Sequence, residues 1–115
     1  MLVRDKGRSR NRAEANMITW IRTAKTLPGR FIEGVAWAEE IETTIEHITG
    51  KKLVVATTFG GTTGEIAWIG QFADATEVEE FYSKVRADHA YQAALTHAQV
   101  LFVPASIYDQ MWLHA

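Results

Sequence analysis

The sequence predicts one α+β domain with its elements in the order β-α-β-β-α-β. Three observations carry this: a β-branched and aromatic run followed by a long stripe of apolar residues at helical spacing, a glycine-rich turn joining two further strand-like runs, and a second helical stretch ahead of a final strand. At 115 residues and 47% hydrophobic, the chain can bury one modest core and is too short for two independent domains.

The first strand is read in "MITWIRTAK", residues 17 to 25, where Ile18, Trp20 and Ile21 mix with Thr19 and Thr23. Pro28 suits the first turn of a helix, and Phe31, Val35, Ala38, Ile41, Ile45 and Ile48 then recur every three or four residues until Gly50. Glu39, Glu40, Glu42 and Glu46 fall largely off that stripe and read as a solvated face. Residues 52 to 59, "KLVVATTF", and 65 to 72, "EIAWIGQF", form a hairpin across Gly60 to Gly64. A phosphate-binding loop would need a helix after the glycines and usually a Lys, and neither is present.

Asp74 with Glu77 three positions on makes a capping-box-like start to a second helix, whose apolar face is Val78, Phe81, Tyr82 and Val85. After a break, "DHAYQAAL" resumes a helical pattern through Tyr91, Ala94, Leu95 and Ala98. Adjacent residues on a helix point about 100° apart, so Asp88 cannot orient His89 as a triad acid would and reads as a helix cap. "VLFVPAS" is a connector stopped by Pro104, and residues 106 to 114 are the last strand.

The net charge of −2 conceals an asymmetry. Arg4, Lys6, Arg8, Arg10 and Arg12 against Asp5 and Glu14 give residues 1–16 a charge of +3, leaving −5 for residues 17–115. With little apolar content, residues 1–16 read as a basic, flexible N-terminal extension, and residues 17–115 as the single folded domain. Cysteine is absent, which removes disulfides, thiolate metal sites and a Cys nucleophile. His47, His89, His97 and His114 have no HxH or HExxH spacing, so no metal site is expected. No apolar run reaches the roughly 18 residues of a membrane span, and the N-terminus lacks a secretory signal, so the expected location is cytoplasmic.

The element order is the ferredoxin-like one, an antiparallel sheet with its helices on one face. Such a sheet should be polar on its other face, yet Leu53, Val55 and Phe59 alternate with Val54 and Ala56, Ile66, Trp68 and Phe72 with Ala67 and Ile69, and Ile107, Met111 and Leu113 with Tyr108 and Trp112. Two helices cover one face; a second copy of the sheet is the simplest cover for the other. The expected assembly is a homodimer joined through the sheet.

With "DHAYQAALTHAQVLFVPASIYDQMW" ahead of its C-terminus, the chain resembles small bacterial members of the dimeric α+β barrel superfamily, in which an Asp opens a short helix and an "LFVPxS" connector leads to the last strand. The resemblance covers residues 17–115. It implies two ferredoxin-like subunits packed sheet to sheet and a pocket between helices and sheet, in a superfamily that includes cofactor-independent monooxygenases, haem-degrading enzymes, decarboxylases, stress-induced proteins and many members of unknown activity. The haem-degrading members use an Asn, a Trp and a His; the asparagines here are Asn11 and Asn16, outside the domain, which argues against that activity.

No cofactor is therefore expected. The ligand-binding candidates are Trp20, Arg22, Trp37, Trp68, Tyr82, Tyr91 and Trp112, with His89 the catalytic candidate, positioned roughly where some members carry a functional His. Aromatic side chains would enclose a small apolar or aromatic molecule, and Arg22 or His89 would anchor a phenolate or carboxylate. Two readings stay open: a small-molecule site of the cofactor-free monooxygenase kind, or a non-catalytic homodimer with a structural or ligand-sensing role. RNA binding fits less well, because "GEIAWIGQF" lacks the basic residue that an RNA-recognition sheet needs and the domain is acidic.

Overall fold

A computed structural model of the chain describes residues 16–60 and 63–115, so residues 1–15 of the basic extension and the tip of the glycine-rich turn lie outside the described residues. Its elements are β1 (Ile18–Lys25), α1 (Phe31–Thr49), β2 (Val54–Thr57), β3 (Glu65–Phe72), α2 (Ala75–Ala87), α3 (His89–Ala98) and β4 (Tyr108–Leu113). The four strands form one sheet in the order β2-β3-β1-β4, and each neighbouring pair is antiparallel. This is the ferredoxin-like arrangement. No helix among the described residues is long and apolar enough to cross a membrane.

Local chemistry sets the helix ends. Gly50 takes a left-handed conformation (φ 76°) that closes α1 by returning its N–H to the Glu46 carbonyl. Asp74 accepts a hydrogen bond from the Glu77 N–H at the start of α2, and Glu77 accepts in return from the Ala73 N–H. Asp88, in extended conformation, ends α2 and opens α3 by accepting from the Tyr91 N–H at 2.9 Å. Asp88 is thus a cap, and His89 beside it is the exposed first residue of α3.

Strand register assigns the faces. Trp20 and Ala24 of β1 lie opposite Gly70 and Ile66 of β3, and with Trp68 and Phe72 they turn toward the helices. All are buried, Trp20 to 2% exposure. Two aromatic groups fill this side: Phe81 stands edge-on to Trp20 and Phe72 at 5.6 and 5.1 Å, and Trp37 stands edge-on to Trp68 and Phe102 at 6.2 and 5.4 Å. Gly34 lets α1 approach the end of β1 closely, since a Cβ there would come within 2.6 Å of the Thr26 methyl.

Three expectations are corrected. β2 is shorter than residues 52–59: the Leu53 N–H turns to Glu42 Oε2 at 2.9 Å, and Phe59 projects fully into solvent. Glu42 is consequently buried in α1 and not part of its solvated face. β4 starts at Tyr108 because the Ser106 hydroxyl accepts from the Lys25 N–H while its own N–H turns back to Val103.

The face away from the helices carries Ile21, Ile69, Val54, Ala56 and Ala67, with Tyr108 and Trp112 of β4. It is mixed, because Thr19 also bonds Gln71 and His114 there. Met111 and Leu113 have the opposite parity, on the helix side, yet they too are exposed, since the helix layer stops short of this edge strand.

Candidate functional site

Between the helices and the sheet lies a cavity of about 320 Å³. β1 contributes Trp20 and Arg22, β3 contributes Trp68, α1 contributes Trp37 and Ile41, and α3 contributes Tyr91 and Leu95. The connector after α3 supplies Phe102, which is held beside β1 because the Leu27 N–H reaches the Leu101 carbonyl and the Val103 N–H reaches that of Lys25.

The cavity wall is apolar because its indole groups spend their donors elsewhere. Trp37 donates to the Ala94 carbonyl at 3.1 Å, Trp68 to the Ala38 carbonyl at 3.2 Å, and Trp20 to the Tyr82 hydroxyl at 2.6 Å. Among the described residues no buried side-chain polar atom lacks a partner.

Arg22 forms the polar end. Its Nε and Nη2 donate to the two oxygens of Asp109 at 2.7 and 2.8 Å, its Nη1 approaches the Tyr91 hydroxyl at 3.4 Å, and its guanidinium lies 5.3 Å from the Trp20 ring centre. The Tyr82 hydroxyl donates to Asp109 at 3.2 Å, closing a network of Trp20, Tyr82, Asp109, Arg22 and Tyr91. Burial alone would lower the Arg22 pKa, but the Asp109 hydrogen bonds and charge outweigh it, and Arg22 stays protonated. For Asp109, burial acts upward and is overcome by Arg22 and the Tyr82 hydroxyl, which hold the carboxyl below its ordinary 3.8. Burial, aided by the Asp109 charge, raises the Tyr82 phenol against the opposing Trp20 hydrogen bond and Arg22 charge.

Of the residues singled out from sequence, Trp20, Arg22, Trp37, Trp68 and Tyr91 line the cavity together. Tyr82 lines an adjoining cleft that shares Trp20, Arg22 and Tyr91 with it. His89 is exposed on α3 and does not line the cavity, and Trp112 sits on the opposite sheet face, 59% exposed and paired with Thr19. Asp109 and Phe102 were not singled out. A signal for Asp109 was present: it shares strand parity with Met111 and Leu113, as Arg22 does with Trp20 and Ala24, so each strand places one charge on its helix side, and the two are opposite in sign. Phe102 had no comparable signal, since it lies in a connector without periodicity.

A four-stranded antiparallel sheet in this order, with its helices on one side, is the ferredoxin-like fold. No protein-family model matches the sequence, and no curated protein sequence matches it. Solved structures do match. An uncharacterised NIPSNAP-like domain protein from Burkholderia xenovorans superposes with a TM-score of 0.73 at 17% identity, over 86% of this chain and 85% of its own. A NIPSNAP family protein from Agrobacterium tumefaciens gives 0.71 at 22% identity, over 84% and 91%. A protein of Chloroflexus aurantiacus named as a candidate antibiotic biosynthesis monooxygenase gives 0.60 at 16% identity, over 86% and 93%. At such identities the likeness defines the fold and leaves chemistry to the site.

Proposed function

We propose that the protein binds a small, apolar aromatic molecule in the cavity between its helices and its sheet, and works as a homodimer paired through the opposite sheet face. The observation that carries this reading is a cavity of about 320 Å³ walled by Trp37, Trp68, Phe102 and Ile41, with Arg22 and the Tyr91 hydroxyl together at one end. Ligand sites are of this kind: concave, mostly apolar and oriented by a few polar groups. The homodimer rests on Trp112, Tyr108 and Val54, exposed apolar side chains on one face of the sheet, for which a second copy is a self-complementary cover.

Ligand binding or sensing is the better-supported role. Oxygenase chemistry is suggested by the name of the Chloroflexus aurantiacus protein, but it calls for a group that takes a proton from the substrate. Among the described residues the cavity lining contains no His, Asp or Glu to serve as a general base. Catalysis would then depend on the substrate's own acidity.

A thermal-shift screen of small phenols and quinones tests the proposal. The expected result is stabilisation by a subset of compounds, abolished in Ala98→Phe, which fills the cavity from α3. Absence of a shift with every compound, or an undiminished shift in a folded Ala98→Phe variant, would remove the cavity as the ligand site.

A further inference from the structure

Among the described residues the one charged side chain lining the cavity is Arg22, and its charge is already matched. Asp109 takes the Nε and Nη2 edge in a two-bond fork, so the polar end of the cavity carries a cation and an anion in contact. An entering carboxylate would lose hydration against an apolar wall, meet a guanidinium whose field Asp109 largely offsets, and feel repulsion from Asp109. The remaining polar groups of the wall are donors or neutral. A guanidinium has five N–H groups; the fork uses two and Tyr91 approaches a third at 3.4 Å. The Tyr91 hydroxyl accepts from Arg22 and keeps its own proton to donate. Gln99, the other polar side chain of the wall, is uncharged. Arg86 faces the adjoining cleft, 6.0 Å from the Tyr82 ring, and does not line the cavity.

Resting on the ligand-binding reading above, we propose that the cavity selects neutral aromatic molecules bearing a hydrogen-bond acceptor, such as an aryl ketone or a quinone, over carboxylates and phenolates of the same shape, and that Asp109 sets this selectivity. A carbonyl oxygen accepts from the unused Arg22 N–H or from Tyr91 without carrying charge into the enclosure. The ring lies among Trp37, Trp68 and Phe102.

Titration calorimetry on the full chain at neutral pH, with 2-acetylnaphthalene and 2-naphthoate as probes of one ring system, tests this. The ketone is expected to bind at least about tenfold more tightly. Asp109→Asn, which releases the Arg22 charge, should narrow or reverse the ratio, and Arg22→Gln, which leaves Asp109 unmatched, should widen it. Equal or tighter binding of naphthoate to the unaltered protein overturns the selectivity and leaves the ligand-binding reading standing. A ratio unchanged in both folded variants overturns the role of Asp109. If neither probe binds, both the selectivity and the reading beneath it fail.

Discussion

Arg22 and Asp109, 87 residues apart in the chain, face each other directly across β1 and β4 and share two hydrogen bonds of 2.7 and 2.8 Å. The pair fastens the edge strand to the sheet centre beside the polar end of the cavity. Each side chain keeps about a quarter of its surface in water, so the interaction is only partly screened.

Acid should therefore loosen this fastening. The Asp109 carboxyl is depressed below its ordinary 3.8 in the folded chain, so between the folded and unfolded values the unfolded state binds more protons. The stabilisation is fully present above 3.8 and is lost as pH falls through the depressed value. Asp109→Asn should cost about 1–2 kcal/mol at neutral pH, and urea melts of the two proteins should converge as the pH is lowered below that range. A gap that stays constant down to the acid limit would contradict the assignment.

The buried Glu42 makes a separate demand. Its carboxylate accepts the Leu53 N–H at 2.9 Å where α1 meets the start of β2. Glu42→Ala leaves that N–H without a partner and should destabilise by about 1–3 kcal/mol, whereas Glu39→Ala on the exposed side of the same helix should change stability by less than about 0.5 kcal/mol. Denaturant midpoints measure both.

Sheet-to-sheet pairing can be tested at Trp112. An Asp in its place would put an unpaired charge into the proposed interface, at a cost of several kcal/mol. Sedimentation should give a dimer for the unaltered chain and the 12.9 kDa monomer for Trp112→Asp, with the cavity and its ligand shifts retained. A monomer in both cases would end the dimer proposal.

Binding should also distinguish two residues near the start of α3. His89 projects into solvent at its first position, so His89→Ala should leave ligand affinity unchanged. Tyr91, held inward by the Asp88 cap, presents its hydroxyl beside Arg22; Tyr91→Phe should weaken a carbonyl ligand by about 0.5–1.5 kcal/mol with the fold intact. The reverse ranking by calorimetry would move the site away from the cavity.

What the sequence by itself determined was the set of elements. Period and punctuation are local, and so the α1 stripe, its stop at Gly50, the span of β3 and the Asp74 and Asp88 caps were all legible without the fold. Five of the residues named from the sequence, Trp20, Arg22, Trp37, Trp68 and Tyr91, line one cavity, while His89 and Trp112 do not. Tertiary structure decided which faces those elements presented. Strand parity says that Trp68 and Trp112 each lie on one side of a strand, but only the registers of β3 and β4 against β1, pairing Trp68 with Arg22 and Trp112 with Thr19, put Trp68 in the cavity and Trp112 on the open face. The same holds for charge. A Glu in a helix or an Asp in a strand reads as solvated until a distant group, the Leu53 N–H for Glu42 or the Arg22 guanidinium for Asp109, is brought within hydrogen-bond reach by long-range packing that no local pattern encodes.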